Sequence, residues 1–191
     1  MKEVTLKDLG TVTTGFTFRK KIEADPSGGF LVIQGKNIRK DRSLDTSDLT
    51  PIRLPSGSRV EGKLIELNDI LVMCRGDFPY ATHITESLPP TVAQNSFSSL
   101  RLHDPTSILP AYLTLILNQS LIQNRIRQQI RGTNIPYLSI EALRNLRVPL
   151  QPIEKQASIL ALHNSIRFEQ ELHRQLETAR LELLDALILS D

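Results

Sequence analysis

The stretch that decides the fold is IEKQASILALHNSIRFEQELHRQLETARLELLDALIL, residues 153–189. It contains neither glycine nor proline, and its apolar residues recur at steps of mostly three and four, the spacing of one helical face. The recurring residues are Ile159, Leu162, Ile166, Leu172, Leu176, Ala179, Leu183 and Leu187. Charged and amide residues fill the other faces. The stretch therefore predicts one long amphipathic helix, roughly 55 Å in length at about 1.5 Å per residue.

The body of a small domain cannot cover the whole apolar face of such a helix, since a helix in a globular protein averages about 11–12 residues. Its apolar stripe must pack against a parallel or antiparallel partner helix, or else fold back onto its own domain. We expect a partner helix, which would make the chain a dimer. The expected dimerisation residues are Ile159, Leu162, Ile166, Leu172, Leu176, Leu183 and Leu187.

The first 150 residues have a different pattern, with short apolar runs separated by proline and glycine. We predict strands at residues 30–33, 64–67, 69–73 and 97–102. A helix should begin at Pro110 and end at Gly132, and a second, short one should be capped by Ser139 and run through Leu146. Residues 147–150 should be extended. The fold class predicted is α+β, with a globular domain at 1–150 followed by the long helix at 151–191.

The distribution of charge separates these two parts. Residues 1–150 hold 19 Lys and Arg against 14 Asp and Glu, a net charge of +5, and residues 151–191 hold 4 against 7, a net charge of −3. A basic body with an acidic tail either faces a polyanion or reflects ordinary surface variation. The single cysteine, Cys74, and four scattered histidines provide neither a disulfide nor a zinc site. With no apolar run long enough for a bilayer and no signal-like start, we expect a cytoplasmic protein.

Three segments approach catalytic motifs without completing them. Residues 57–64 have P-loop spacing, but Leu64 stands where Ser or Thr should bind magnesium. Residues 134–137, NIPY, resemble the NPPY of adenine methyltransferases without the glycine-rich loop that this chemistry needs upstream. Glu61 and Lys63, with Asp45 or Asp48, imitate the acidic and lysine residues of a metal-dependent nuclease. Their incompleteness favours a binding role over catalysis.

Four segments, taken together, resemble one half of the specificity (S) subunit of type I restriction-modification systems. They are LKDLG at residues 6–10 followed by Thr14 and Gly15, DILVMCRG at 69–76, PAYL at 110–113, and the run from LSIEAL at 138–143 to VPLQPIEKQ at 148–156 and Ile159. Gln151 stands where the family commonly has proline, and Lys155 where it commonly has glutamate. No segment is diagnostic alone, but their order and spacing are similar to the family pattern over nearly the whole chain.

The resemblance implies a DNA-binding half-subunit that is not itself an enzyme. A full S subunit has two target-recognition domains and two helical regions, whereas this chain has one of each. Each recognition domain would read half of a bipartite site in double-stranded DNA, and two paired copies would require inverted half-sites. A methyltransferase (M) subunit would use S-adenosylmethionine and a motor-nuclease (R) subunit would use ATP. We expect neither cofactor, and no metal, to bind this chain.

Loops rich in Lys, Arg, Asn and Gln beside glycine are the expected DNA contacts, with Lys and Arg on phosphates and Gln34 or Asn37 on a base edge. The expected DNA-binding residues are Arg19, Lys20, Lys21, Gln34, Lys36, Asn37, Arg39, Lys40, Arg42, Arg75, Tyr80, Arg131, Thr133 and Asn134, with His83 and Tyr137 nearby. Arg75 has the alternative of a structural role that ties loops together.

Three other functions remain open from the sequence. The chain could be a detached recognition domain of another DNA methyltransferase or restriction class, with its helix docked on a methyltransferase domain. It could be a nuclease using Glu61 and Lys63. It could also be an assembly protein whose body does not read DNA.

Overall fold

A computed structural model describes residues 2–55, 57–76, 79–132 and 136–189 of the chain. Thr133 and Asn134, two of the expected DNA contacts, lie outside these ranges. Within these ranges the strands are β1 (Lys2–Thr5), β2 (Gly10–Thr14), β3 (Phe30–Ile33), β4 (Thr50–Ile52), β5 (Ile70–Met73), β6 (Ala81–His83), β7 (Thr91–Ala93), β8 (Phe97–Leu102) and β9 (Arg147–Leu150). The five described α-helices are α1 (Leu6–Leu9), α2 (Pro110–Leu117), α3 (Ser120–Arg127), α4 (Ile140–Arg144) and α5 (Ile153–Leu189). The α+β class predicted from the sequence is confirmed.

The strands form three small sheets. An antiparallel sheet of four strands has the order β2-β8-β5-β6, and a three-stranded sheet has the order β4-β3-β7, with β3 and β7 parallel. The third sheet pairs β1 with β9, and Val4 lies opposite Val148. This last pairing brings the beginning of the domain to the strand that directly precedes α5.

Strand β5 lies between two hydrophobic cores, and all four of its residues are buried. Ile70 and Val72 pack with the helices in one core, while Leu71 and Met73 pack with Phe97 in the other. Successive side chains of a strand point to opposite faces, so a strand buried on both faces has a continuous apolar sequence. This is why the run ILVM was recognisable as a strand from the sequence.

The single helix predicted from Pro110 to Gly132 is wrong, because the chain folds there into the two helices α2 and α3. Asn118 ends α2 and pairs with the backbone of Ala81 through both ends of its side-chain amide, at 2.9 Å and 2.8 Å. Gln123 then donates to the Leu117 carbonyl oxygen at 2.7 Å, which satisfies a carbonyl at the end of α2. These are tertiary contacts, and the apolar periodicity of the sequence does not contain them.

The predictions for the other strands have mixed outcomes. The strands at 30–33, 69–73 and 97–102 and the extended segment 147–150 are confirmed to within a residue. The strand at 64–67 is wrong, since only Leu64 forms a bridge, to Val92. The short helix capped by Ser139 is confirmed, with the Ser139 hydroxyl accepting from the Ala142 amide at 3.1 Å.

The long helix α5 has the predicted bounds, Ile153–Leu189. Its first turn is anchored by Gln156, which is completely buried. The Gln156 side chain accepts from the Leu109 amide at 2.9 Å and donates to the carbonyl oxygens of Ser107 and Gln151. Every residue from 164 to 189 is exposed. None of the helices in the described ranges combines the length and apolar character needed to cross a membrane.

Candidate nucleic-acid interface

The densest group of expected DNA contacts lies on a tight hairpin, residues 38–44, which we call the basic hairpin. Ile38 and Leu44 form its base, and the Arg39 amide donates to the Ser43 carbonyl oxygen at 2.9 Å. Arg42 at its tip has a φ of 70°, a conformation that most side chains disfavour. The Asp41 carboxylate stabilises the turn by accepting from the Ser43 amide and hydroxyl at 3.0 Å and 2.6 Å.

Asn37 does not reach the surface, which corrects the expectation that it contacts DNA. Only 1% of the residue is exposed. Its side-chain oxygen accepts from the Gln34 amide at 2.9 Å, and its side-chain nitrogen donates to the Asp48 carbonyl oxygen at 2.8 Å. Asn37 therefore fixes the short 3-10 turn Gly35–Asn37 that leads into the basic hairpin. Gln34 is half-buried beside it.

The cations of this region are exposed, and some have carboxylate partners. Lys36 pairs with Asp48 at 3.0 Å, and Arg39 pairs with Asp45 at 3.1 Å. Lys40 makes no ion pair with any residue in the described part of the chain. Exposed ion pairs contribute only about 0.2–1 kcal/mol, so these side chains can exchange a carboxylate for a phosphate at little cost.

Two loops that are distant in sequence meet at Tyr137. The backbone of Tyr137 forms an antiparallel bridge to Arg131 and another to Arg75, and the Leu138 amide continues the pairing to the Cys74 carbonyl oxygen at 2.8 Å. Directly opposite residues of an antiparallel pair project to the same face. Arg75, Tyr137 and Arg131 are all exposed and so form one surface row, the Arg75–Tyr137–Arg131 row. The sequence indicated only that Tyr137 is near the expected contacts. Its position between two arginines follows from the backbone pairing, which the sequence does not reveal.

Glycines explain two of the segments that resemble the S-subunit family. Gly76 follows Arg75 with a φ of 102°, a conformation that glycine adopts readily, and its amide donates to the Pro136 carbonyl oxygen at 3.0 Å. A Cβ atom at Gly15 would overlap the carbonyl oxygen of Gln94. Gly15 is thus needed for close backbone approach, and Gly76 for its positive φ.

The third group, Arg19, Lys20 and Lys21, is exposed and lines a separate groove of about 730 Å³. The residues that line this groove include Phe16 and Phe18, whose aromatic ring centroids are 4.9 Å apart. The groove thus combines cations with partly exposed aromatic rings, a combination suited to a nucleic-acid backbone and bases.

Tyr80 and His83 are less accessible than expected. Tyr80 is half-buried against Phe97, edge to face with centroids 6.4 Å apart, and burial raises the pKa of its hydroxyl. Burial also lowers the pKa of His83, which keeps the imidazole neutral at pH 7, and its Nε2 lies 3.2 Å from the Asn68 side-chain oxygen. Tyr80 thus packs partly against the core, and its contact with DNA stays a prediction.

The geometry does not bring together the residues of the nuclease alternative. The Lys63 ammonium donates to the backbone carbonyl oxygens of Thr14 and Gly15, at 2.8 Å and 3.2 Å, and so has a structural role. Asp45 and Asp48 are paired with Arg39 and Lys36 of their own loop. Within the described ranges no three His, Cys, Asp or Glu residues are grouped so as to hold a metal ion. The P-loop resemblance also fails, since a turn and a bridge, rather than a helix, follow Gly62.

The apolar stripe of α5 is exposed along most of its length. Leu162 is 63% exposed and Leu176 is 48% exposed, whereas Ile159, nearer the body, is half-buried. Several exposed apolar residues lie beside the stripe and were not expected to take part: Phe168, Leu181, Leu184 and Ile188. The last three belong to the run LELLDALIL, whose apolar content widens the stripe near the end of the helix.

Solved structures share this architecture. The HsdS subunit from Thermoanaerobacter tengcongensis matches over 97% of this chain and 47% of its own, with a TM-score of 0.73 and 19% identity. A structure describing complex assembly and conformational transition of the type I R-M system matches over 97% and 43%, with a TM-score of 0.67 and 18% identity. The type I S subunit from M. genitalium matches over 89% and 40%, with a TM-score of 0.57 and 18% identity.

The fold is therefore that of type I restriction-modification specificity subunits, and the chain spans less than half the length of each of these structures. A comparison with curated proteins finds no significant relative. The family model described as "Type I restriction modification DNA specificity domain" matches residues 1–179. The chain belongs to this family, as the sequence resemblance indicated.

Proposed function

We propose that this chain acts as half of a type I specificity subunit. Its body, residues 1–150, would read one half-site of a bipartite DNA sequence, and α5, within 151–191, would pair it with a second copy. The match of the specificity-domain family to residues 1–179 is the observation that carries this proposal. The division into a recognition domain and a spacer helix is part of the proposal.

The body offers two basic surfaces for the DNA backbone. The basic hairpin supplies Arg39, Lys40 and Arg42, and the Arg75–Tyr137–Arg131 row supplies two more guanidinium groups. Phosphate contacts fix the register of a protein on DNA, while contacts with base edges give specificity. We assign these cations to phosphates and Gln34, with Tyr137, to the adjacent groove. The cations of Arg19, Lys20 and Lys21 would extend the contact along the backbone.

The second copy would cover the exposed stripe of α5. An isolated helix with leucines exposed on one face is stabilised mainly by packing that face against another element. Two paired copies would hold two bodies at a fixed separation, and symmetry would require inverted half-sites. A helical spacer of tens of Å would place the two half-sites about one turn of DNA, ~34–36 Å, or somewhat more apart.

Catalysis would belong to other subunits. An M subunit would methylate adenine with S-adenosylmethionine and an R subunit would use ATP, both directed to the site by this chain in the cytoplasm. The chain itself would be non-catalytic and would bind neither cofactor. One of the similar solved structures concerns complex assembly of the type I R-M system, which supports the expectation of such a complex.

The experiment that tests pairing is the solution mass of the purified chain, by light scattering at several concentrations. A mass of about 43 kDa, twice the chain mass of 21.5 kDa, is expected. A mass of 21.5 kDa at every concentration would contradict self-pairing, and would direct the search to a different S half or to an M subunit.

A second experiment tests DNA reading. Selection of a random DNA library by the purified chain should enrich inverted half-sites at one preferred separation. Enrichment of a single half-site would instead fit a detached recognition domain. No enrichment, together with binding that is insensitive to salt, would fit an assembly protein.

A further inference from the structure

Beyond its first turns, α5 stands beside an open cleft instead of packed against the body. The cleft, of about 820 Å³, lies between the basic hairpin, β6, α2 and α5. Leu160 and His163 of the helix are half-buried at its edge, and all residues from 164 to 189 are exposed. Close packing, which fixes most helix angles, is therefore missing on this side of the helix.

One ion pair crosses the cleft. The Arg167 guanidinium lies 3.2 Å from the Asp41 carboxylate at Nη2, and its Nη1 lies 3.5 Å from the Asp41 carbonyl oxygen. Arg167 is 14 residues into α5, roughly 21 Å from its beginning at about 1.5 Å per residue. Among the described residues, this ion pair joins α5 to the body, whereas His173–Glu169 and Arg174–Glu171 are pairs within α5 itself.

Asp41 has two functions at once. One carboxylate oxygen accepts from Ser43 and shapes the basic hairpin, and the other accepts from Arg167. The adjacent Arg42 ties the hairpin to the end of α2 through the Asn118 carbonyl oxygen at 3.4 Å. The hairpin that carries the expected phosphate contacts is thus connected directly to the helix that sets the distance to the second copy.

We propose that the Asp41–Arg167 pair is a positioning device that fixes the angle between α5 and the recognition body, and thereby determines the spacing between half-sites. This inference rests on the proposed function. A 10° change in the angle of a ~55 Å helix moves its far end by roughly 10 Å, about three base pairs of DNA. A weak contact at Arg167 therefore governs a large displacement, and it does so without contacting a base.

The pair is exposed, with 49% and 45% of the two side chains accessible, so its effect on an equilibrium is at most about fivefold. We expect Asp41→Asn and Arg167→Gln to lower the discrimination between the preferred spacer and one a base pair longer or shorter by about two- to fivefold. Asp41→Asn retains the oxygen that accepts from Ser43, so the hairpin remains folded. Arg167→Lys, which keeps the charge, should retain most of the discrimination.

The matched control is Arg174→Gln. Arg174 lies on the same helix, lines the same cleft and is 65% exposed, but it pairs with Glu171 one turn away within α5. Its removal should leave the preferred spacer and the discrimination unchanged. Equal losses in Arg174→Gln and Arg167→Gln would show that net charge, rather than the link to Asp41, is responsible, and would overturn the proposal.

A measurement without DNA separates this inference from the proposed function. Spin labels at Glu61→Cys on the body and Glu182→Cys on α5, in a Cys74→Ala background, report the body-to-helix distance by pulsed electron resonance. Labelled chain is diluted in unlabelled chain so that only distances within one chain contribute. Wild type should give one narrow distance distribution, and Asp41→Asn and Arg167→Gln should broaden it, while Arg174→Gln should not.

Unchanged distributions in both variants would overturn the positioning role of the pair even if the wild type reads bipartite DNA. Broadened distributions combined with an unchanged spacer preference would overturn the link to spacing. If the wild type selects no bipartite DNA, the proposed function fails and the spacing claim fails with it, while the distance measurement still decides whether Asp41 and Arg167 fix the helix.

Discussion

At the scale of single residues, Gln156 shows why the segment PIEKQ opens the long helix. Its side chain, which has no access to solvent, is the hydrogen-bond partner of three backbone groups. These groups are the Leu109 amide and the carbonyl oxygens of Ser107 and Gln151. A shorter side chain cannot reach these groups, and an apolar one cannot bind them. The sequence motif marks this position, but only the structure explains its chemistry.

We predict that Gln156→Ala lowers the free energy of unfolding by about 1–3 kcal/mol, because buried polar groups lose their partners. Urea denaturation followed by circular dichroism measures the change. Gln170→Ala, an exposed position of the same helix, serves as the control and should alter stability little. Equal stability of the two variants would mean that water replaces the Gln156 side chain at no cost.

Cys74 provides a second test at this scale. The residue is 7% exposed directly after β5, and its thiol donates to the Val72 carbonyl oxygen at 3.3 Å and has a pKa raised by burial. Because the thiolate is the reactive form, native protein at pH 8 should alkylate with iodoacetamide at least about tenfold more slowly than denatured protein. Mass spectrometry over time measures both rates. Comparable rates would indicate frequent opening of the β5 to β8 region.

At the scale of elements, the sequence predicted what depends on local pattern and failed where tertiary contacts decide. The bounds of α5 follow from 37 residues without glycine or proline. The break between α2 and α3 does not, because it depends on Asn118 meeting the backbone of Ala81. Strands β1 and β2 were not predicted either, since their short sequences KEVT and GTVTT acquire partners only from β9 and β8.

The exposed stripe of α5 leads to a prediction about pairing. The double substitution Leu176→Glu and Leu183→Glu places like charges in the proposed interface, where burial of a charge is costly. We expect a folded monomer of 21.5 kDa under conditions in which the wild type is a dimer. Light scattering gives the mass, and circular dichroism confirms that the body is folded.

Thr178→Glu is the control for this prediction. Thr178 is exposed on α5, about 200° around the helix from Leu176 at ~100° per residue, and so lies on the opposite face. This variant should keep the wild-type mass. If the double leucine variant also keeps it, α5 is not the pairing surface.

At the scale of the whole molecule, composition predicted which loops carry cations but not which loops meet. Arg75 and Arg131 are 56 positions apart in the sequence, and Tyr137 connects them by backbone pairing that no local pattern reveals. Asn37 illustrates the opposite error. A polar residue beside glycine and lysine is typical of a surface loop. The side-chain amide of Asn37 is nevertheless hydrogen-bonded to backbone groups inside the fold. Sequence therefore indicates the chemistry of the candidate interface, while the geometry of these loops depends on long-range pairing.

The last prediction concerns the charge that these loops together bring to DNA binding. If Lys40, Arg75 and Arg131 each neutralise a phosphate, the plot of log affinity against log salt should lose about 0.9 of slope for each substitution by glutamine. Fluorescence anisotropy with the selected duplex, between about 50 and 200 mM salt, measures the slope. Arg180→Gln, an exposed arginine of α5 away from these loops, should leave the slope unchanged. A slope that is unaffected by all three body substitutions would place the DNA on another face, and the groove lined by Arg19, Lys20 and Lys21 would then be the surface to substitute next.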